Sequence, residues 1–491
     1  MKKIYATLFL SCSLLSGCAM VGPDYRSFVP FLPSGWSQAE AGKEVAHGGE
    51  RGDISQWWRG LNDPLLATLV EEALQASPDM RSAQARLREA RARRTVASAG
   101  LFPGVEASID ARRSKSSAET GTGSTRNTYS AGFDASWEID VFGGTRRGIE
   151  AAEADLQSSE AGLHDTQVTL AAELALNYVE LRAYQLRLRI ARDNLAGQAE
   201  TLQLTDWRAQ AGLVSSQDVE QARTNYEQTR AQVPALERSY AEAENRLAIL
   251  LGKPPGSLRE RLAAPAALPD APATIAIGIP ADVLRQRPDV RAAERRLAAE
   301  TARVGVAEAA RYPGFNLSGS IGLEALRFSA LGNGGADTYS LLAGISAPIF
   351  NAGRLRAQVE IQDAVREQAL IGYEQTVLNA LGDVENSLVA LAKSRERERA
   401  LGNAAISARN AALLARNRYS AGLIDFQSVL DTERSMLVVE DSLASTRADG
   451  ISALIRLYKA LGGGWSPPES QTRHGGESPQ AETKRTGKDA T

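Results

Sequence analysis

One stretch occurs twice in this chain of 491 residues. Residues 77–108 align without gaps to residues 287–318 at an offset of 210 positions (287 − 77), and 14 of the 32 positions are identical. The same offset relates two further pairs of segments: Ala211-Gly212-Leu213 with Ala421-Gly422-Leu423, and Leu251-Gly252 with Leu461-Gly462. A unit of roughly 200 residues is too long for a solenoid repeat. The chain is therefore predicted to contain two copies of one large unit.

The N-terminus has the pattern of a secretory signal. Lys2 and Lys3 precede an apolar run from Ile4 to Leu15, which is too short to span a bilayer as a helix. Leu15-Ser16-Gly17-Cys18 resembles a bacterial lipobox, which implies cleavage before Cys18 and a diacylglycerol and an N-acyl lipid on that residue. Ala19 in place of Asp favours, by resemblance to sorted lipoproteins, a lipid-anchored protein of the outer membrane that extends into the periplasm. We expect no other cofactor and no metal.

Composition and motifs exclude two classes of function. Lys+Arg (56) and Asp+Glu (59) nearly cancel and are interleaved along the chain, so no nucleic-acid-binding surface is predicted. The sequence has no Gly-rich phosphate loop, and His47, His164 and His474 are scattered through unlike contexts. We therefore expect no enzyme. Beyond the signal, no apolar run approaches 18 residues, so a membrane protein of this sequence would have to span with strands.

Four segments alternate between apolar and polar residues with a period of two: 105–111, 129–141, 315–324 and 339–349. Strands of about ten residues with one apolar face are typical of outer-membrane barrels, and a water-soluble sheet on a core is the alternative. Spanning barrels start at about eight strands, so four must be pooled between subunits. Two chains would give a filled barrel, whereas three would leave a lumen.

Long helical patterns follow each pair of strands. The first runs from Arg146 to about Gln210, the second from Arg354 to about Tyr419, and both carry Leu or Val at seven-residue spacing. Such heptads predict coiled-coil packing. Each long helix is expected to turn at Gly212 or Gly422 and to return as a shorter helix. Before the strands, Asp63 is a predicted N-cap for a helix to Ala76, and a second helix is predicted from Asp79 to Ala99.

These patterns divide the chain into a signal peptide (1–17), a lipidated extended arm (18–60), a first repeat (61–252), a linker (253–280), a second repeat (281–462) and a polar C-terminal tail predicted to be disordered (463–491). Each repeat contains helices, two strands and a helical hairpin.

The chain resembles the outer membrane factor (TolC-like) family, and specifically its OprM- and NodT-like lipoproteins. The segments that carry the resemblance are Cys18 with Gly22-Pro23-Asp24-Tyr25, Trp57-Trp58, Pro78-Asp79 with Pro288-Asp289, the run 137–143, the run 348–354 and the two Ala-Gly-Leu turns. The resemblance implies an α+β membrane protein: a homotrimer whose 12-stranded β-barrel in outer-membrane lipid continues into a periplasmic 12-helix α-barrel. It also implies two partners, a periplasmic adaptor (membrane fusion protein) and an inner-membrane efflux pump.

Two sets of candidate site residues follow. The hairpin turns are expected to contact the adaptor through Arg208, Gly212, Leu213, Arg418, Tyr419, Gly422 and Leu423, although the glycines alone would also close ordinary turns. By resemblance, a gate that closes the periplasmic end falls on Asp431 and Arg434, with Asp425, Gln427 and Ser428 nearby. Ser428 stands where the TolC pattern has a second acidic residue. An exposed pair within one helix is the alternative for Asp431 and Arg434.

The predicted function is therefore a passive, gated exit channel of a tripartite efflux system, serving small molecules with a proton-driven pump. Two alternatives remain open at this point: an exit duct of type I secretion for polypeptides, and a structural spacer in the periplasm.

Overall fold

A computed structural model describes residues 20–28, 33, 35–37, 45–47, 54–270, 275–277 and 280–466. The predicted signal peptide, Cys18, His474 and most of the predicted tail lie outside these residues. The regular elements, apart from two short 3-10 turns, are β1 (Val45–His47), α1 (Pro64–Ala76), α2 (Pro78–Ala99), β2 (Gly104–Lys115), β3 (Thr125–Ile139), α3 (Gly144–Gln210), α4 (Ser216–Leu250), α5 (Arg259–Leu262), β4 (Ile275–Ile277), α6 (Pro280–Gln286), α7 (Pro288–Ala309), β5 (Gly314–Ala325), β6 (Asp337–Ser346), α8 (Arg354–Ser420) and α9 (Phe426–Ala460).

The predicted start of α1 is confirmed. The Asp63 side chain accepts hydrogen bonds from the backbone N–H groups of Leu65 and Leu66, each at 3.0 Å, and Pro64 occupies the first helical position. An Asp at this position satisfies N–H groups that have no partner inside the helix, and proline has no N–H there to leave unpaired. The second predicted helix is also present, and it begins one residue earlier, at Pro78.

The four predicted strands form one antiparallel sheet in the order β2-β3-β5-β6. Residues opposite each other share a face, and the register places Phe133 between Ala107 and Ile321 on the apolar face. On the other face, Asp134 lies between Glu106 and Ser320. The predicted alternation is thus confirmed across the sheet. Among the described residues, β2 and β6 each pair on one side only.

The last strand is shorter than predicted, because it ends at Ser346 rather than at residue 349. Pro348 has no N–H with which to continue a ladder, so the chain leaves the sheet before it. Ile349 and Phe350 consequently lie outside the strand and are exposed.

The two long helices have the same length. α3 and α8 contain 67 residues each, so each is about 100 Å long. At the ends of these helices, Gly212 and Gly422 adopt positive φ values of 72° and 75°. The next residues, Leu213 and Leu423, donate backbone hydrogen bonds to the carbonyls of Arg208 (2.8 Å) and Arg418 (2.9 Å). These are the bonds of a glycine-terminated helix, in which a side chain at the glycine would be strained.

The helices form one layer, and the set of helices that lie side by side differs between the sheet end and the turn end. Next to the sheet, α3 packs against α2 and α7, and α7 packs against α8. Towards the turns, α3 packs against its return helix α4 and against α9, and α9 packs against α8. Between these levels lies the main apolar core, where Trp57 stacks on Tyr458 with 5.3 Å between ring centroids. In the described part of the chain, no helix has both the length and the apolar character needed to cross a bilayer.

A strap formed by Met20–Phe28 ties the two repeats together. The buried Arg147 of α3 donates hydrogen bonds to the carbonyls of Val21 (3.1 Å) and Gly22 (3.2 Å) and binds the Asp24 carboxylate at 2.7 Å. Gly22 has a positive φ of 86° and lies against the backbone of Gly305 in α7, where a side chain has no space. The strap therefore occupies a fixed groove between the first and second repeats.

Candidate functional site at the hairpin turns

The two hairpin turns meet in space. The Arg208 guanidinium at the end of α3 covers the ring of Tyr419 at the end of α8, with 4.5 Å from Cζ to the ring centroid, and donates to the Tyr419 carbonyl. The Tyr419 hydroxyl donates to Thr205 at 3.2 Å, and Phe426 packs edge-on against the ring at 5.9 Å. One end of the molecule is thus built from both repeats.

The predicted contact residues divide into exposed and buried groups. Leu213 and Leu423 at the turns are 68% and 73% exposed, and Arg418 is exposed as well. Tyr419 is only 1% exposed, because Arg208 and Phe426 enclose its ring. We correct the prediction for Tyr419: within one chain it joins the two turns and offers no contact surface.

Asp425 and Ser428 have a local role that the sequence analysis did not assign to them. The Asp425 carboxylate accepts hydrogen bonds from the Ser428 hydroxyl (2.7 Å) and from the Ser428 backbone N–H (3.0 Å), which caps α9. These hydrogen bonds hold the pKa of Asp425 below its usual value, because they favour the charged form. The pair begins the helix and orients the residues that follow.

Further along α9, Gln427, Asp431, Arg434 and Val438 are spaced by four, three and four residues and share an exposed face. Gln427 donates its amide to Asp431 at 2.9 Å. Arg434 donates to Asn225 of α4 at 3.1 Å rather than to Asp431. The interpretation of Asp431 and Arg434 as a pair within one helix is therefore wrong, since Arg434 links α9 to the first hairpin.

Two buried polar layers, which the sequence analysis missed, hold α9 in place. Glu433 is 2% exposed, and its carboxylate binds Arg416 of α8 and the Thr201 hydroxyl of α3, both at 2.8 Å. One heptad away, Glu440 binds Arg409 of α8 and accepts from Asn194 of α3 at 3.1 Å. The seven-residue spacing of both the glutamates and the arginines was visible in the sequence. In the ranges that the structure describes, no group of three or more His, Cys, Asp or Glu side chains is placed to hold a metal ion.

The duplicated unit of sheet and long hairpin defines a class of outer-membrane channels. The structure is similar to that of the outer-membrane channel OprN, with a TM-score of 0.85 and 39% sequence identity over 91% of this chain and 100% of that one.

The chain belongs to the outer membrane efflux protein family, whose model matches residues 69–253 and 279–463. It is 35% identical to the pyoverdine export outer membrane protein OpmQ of Pseudomonas putida, over 94% of this chain and 98% of that protein. It is 34% identical to nodulation protein T of Rhizobium leguminosarum bv. trifolii, over the same shares. The protein is therefore an outer-membrane efflux protein that extends into the periplasm, and it is not an enzyme, since members of this family are passive ducts.

Proposed function

We propose that this protein is the exit duct of a tripartite efflux system for small molecules and that it works as a homotrimer. The observation that carries the proposal is a four-stranded sheet with one apolar face, whose two outer strands pair on one side only among the described residues, joined to helices that are each about 100 Å long. Unpaired edges are not tolerated in lipid. Three copies would close twelve strands around a lumen, and a ring of twelve helices would continue that lumen.

Exposed apolar residues on α8 support the same side-by-side assembly. Ile371 and Leu378 are spaced by one heptad, as are Ile406 and Leu413, and all four are exposed in the single chain. A heptad stripe of this kind packs against a neighbouring helix. In the trimer that neighbour would be the helix at the adjoining flank of the next copy.

The position of the turns supports the proposed partners. Leu213, Leu423 and Arg418 surround the end of the molecule farthest from the sheet, where a periplasmic adaptor and an inner-membrane pump would dock. Relatives are named for the export of pyoverdine and for a toluene efflux pump, which favours small molecules over polypeptides as cargo. Crosslinkers placed at positions 213 and 423 should capture the adaptor. Capture at mid-helix positions with failure at both turns would contradict this docking mode.

The gate is assigned to the exposed face of α9. Three copies of Asp431 around one axis would repel each other and would hold a hydrated constriction. Arg434 would steady that constriction by binding Asn225 of the first hairpin. Asp425 and Ser428 contribute indirectly, because they fix the start of the helix.

The test is single-channel conductance of the purified trimer in planar bilayers. Asp431→Ala and Arg434→Ala should each raise conductance, whereas Asp449→Ala, on the same face of the helix but about five turns farther from the hairpin turn, should not. Wild-type conductance in both gate variants, with trimers intact, would assign closure to another part of the duct. If neither the wild type nor the variants conduct ions, the protein is a spacer and not a duct.

The lipid anchor on Cys18 remains a proposal, supported by the strap. The Val21 N–H donates to the Phe142 carbonyl at 3.1 Å, which brings the chain three residues after Cys18 to the sheet end of α3. A lipid on Cys18 would therefore lie beside the membrane. The intact mass of the mature protein should show a triacylated N-terminal Cys18, and Cys18→Ala should remove that mass. A mature N-terminus at any other residue would overturn the assignment.

A further inference from the structure

Trp207 differs from the other tryptophans of the chain. All six lie among the described residues; Trp36, Trp57, Trp58 and Trp465 are buried, and Trp137 is half-buried. Trp207 is 58% exposed, and it lies in the last turn of α3, where its carbonyl accepts the Ala211 N–H at 3.1 Å. Tryptophan combines a large apolar surface with a polar N–H group and is enriched at protein interfaces.

The heptad row shows which way Trp207 faces. Asp193, Glu200 and Trp207 are spaced by seven, and all three are exposed. Asp193 and Arg189 line a groove whose opposite wall contains Arg259 and Pro265, in the connection between the repeats. The connection between the repeats would block the passage if it ran inside the ring of helices. It therefore lies on the outside of that ring. Trp207 therefore faces outward, away from the passage.

A neighbouring copy cannot cover this position. α3 lies between α4 on one side and α9 on the other, both within the same chain. Copies placed side by side add to the free flanks of α4 and α8 and leave the outer ridge of α3 open. The remaining occupant is a different protein.

The second repeat has no equivalent side chain. The offset of 210 positions relates Trp207 to Asn417, which is exposed at the corresponding place on α8. The residues that form the bend match between the two turns: Arg208 with Arg418, Gly212 with Gly422, and Leu213 with Leu423. The turns thus share a backbone, but the tryptophan is present only in the first.

We propose that the outer flank of the first hairpin turn is a docking site that the second turn lacks, in which Trp207, together with Leu213, inserts into an apolar pocket of the periplasmic adaptor. The inference rests on the proposed function and specifies the partner-binding surface of that same site. A projecting tryptophan buries a large apolar area when it enters a pocket of a partner, and such tryptophans dominate the affinity of many interfaces. The adaptor would consequently contact two kinds of turn around the trimer, one with the tryptophan and one without it.

The test is the affinity of the purified trimer for the purified adaptor. Trp207→Ala should weaken binding by about 30-fold, Trp207→Phe should retain most of the affinity, and the matched variant Asn417→Ala should bind like the wild type. Tryptophan emission of the wild-type trimer should shift to shorter wavelength when adaptor is added, because Trp207 leaves water. Trp207→Phe should abolish that shift.

Three results would overturn the inference. If Trp207→Ala binds the adaptor like the wild type while Leu213→Ala weakens binding, docking at the turns holds but Trp207 has no part in it. If Trp207→Ala raises conductance and leaves binding unchanged, Trp207 faces the passage. If the wild-type trimer binds no adaptor, the proposed function itself fails, and this inference fails with it.

Discussion

Arg208 and Tyr419 are 211 residues apart in sequence, yet the guanidinium of the first lies over the ring of the second and donates to its carbonyl oxygen. Each residue stands at the end of one of the two long helices, so this contact fastens the two repeats together at their turns. A duct that opens at this end has to separate or tilt the helices that these two residues join.

Arg208→Ala should therefore loosen the paired turns. The variant loses a cation–π contact and a charge-assisted hydrogen bond, which together stabilise by about 2 kcal/mol. Spin labels at positions 213 and 423 should report a broader distance distribution than in the wild type. Tyr419→Phe is the milder comparison, because it loses only the hydrogen bond to Thr205. An unchanged distribution in Arg208→Ala would show that other contacts hold the turns.

Glu433→Ala should destabilise the packing of α9 against α3 and α8. It removes the acceptor of the buried Thr201 hydroxyl and the carboxylate that binds the half-buried Arg416, which should cost about 1–3 kcal/mol. Glu220→Ala, which removes an exposed pair with Arg223, should change stability by less than about 1 kcal/mol. Thermal unfolding of the detergent-solubilised trimer measures both. Equal shifts in the two variants would contradict the assigned role of the buried layer.

Gly197 and Gly162 on α3 should respond in opposite directions to alanine. A Cβ at Gly197 would lie 2.7 Å from Nη1 of Arg416, which is already held by Glu433, so overpacking should cost about 1–3 kcal/mol. Nothing lies within 4 Å of a Cβ at Gly162, so Gly162→Ala should stabilise the helix by about 0.4–1 kcal/mol. Unfolding temperatures that move in the same direction would refute the close approach at Gly197.

Neighbouring residues of β6 should tolerate charge very differently. Leu341 is on the apolar face, whereas Ser340 faces the other way and bonds the Ser320 hydroxyl at 2.7 Å. Leu341→Arg should cost about 2–4 kcal/mol in lipid and lower the yield of assembled trimer, and Ser340→Arg should assemble normally. Heat-modifiable mobility of the trimer on gels is the measurement. Normal assembly of Leu341→Arg would place the apolar face away from lipid.

Glu72 should contribute a pH-dependent part of the stability. Its carboxylate binds Arg261 and Lys253, and these hydrogen bonds lower its pKa from 4.5 because they favour the charged form. A lowered folded-state pKa means that this contribution is complete above the unfolded pKa and is lost as the pH falls through the folded one. The stability difference between wild type and Glu72→Gln should thus be constant near neutral pH and shrink below about pH 4.5. A difference that does not change with pH would exclude this linkage.

The sequence predicted the elements of this fold well because their patterns are local. Heptad rows along α3 and α8 and the alternation along β2 and β3 depend only on neighbouring residues, and both are present in the structure. The capping role of Asp425 was also legible, since Asp is one of the preferred N-cap residues at the start of a helix.

What the sequence did not show depends on distant partners. Tyr419 has both a polar and an apolar character, and its burial is decided by Arg208 from the other repeat. Glu433 looks like any surface glutamate of a heptad until α3 and α8 enclose it. Arg434 could have paired with Asp431 at its spacing of three, but Asn225 of the first hairpin comes within 3.1 Å of it.

In the part of the chain that the structure describes, β2 and β6 pair on one side only, so in the proposed homotrimer a single chain is an incomplete folding unit. The remaining hydrogen bonds of the sheet would then form between chains, and the stability of the protein would depend on its concentration. Until those bonds form, both outer strands are templates for any other exposed strand, which is the usual origin of strand-mediated aggregation. In that trimer, a chain whose helices have already folded would still have two strand edges to protect until it assembles.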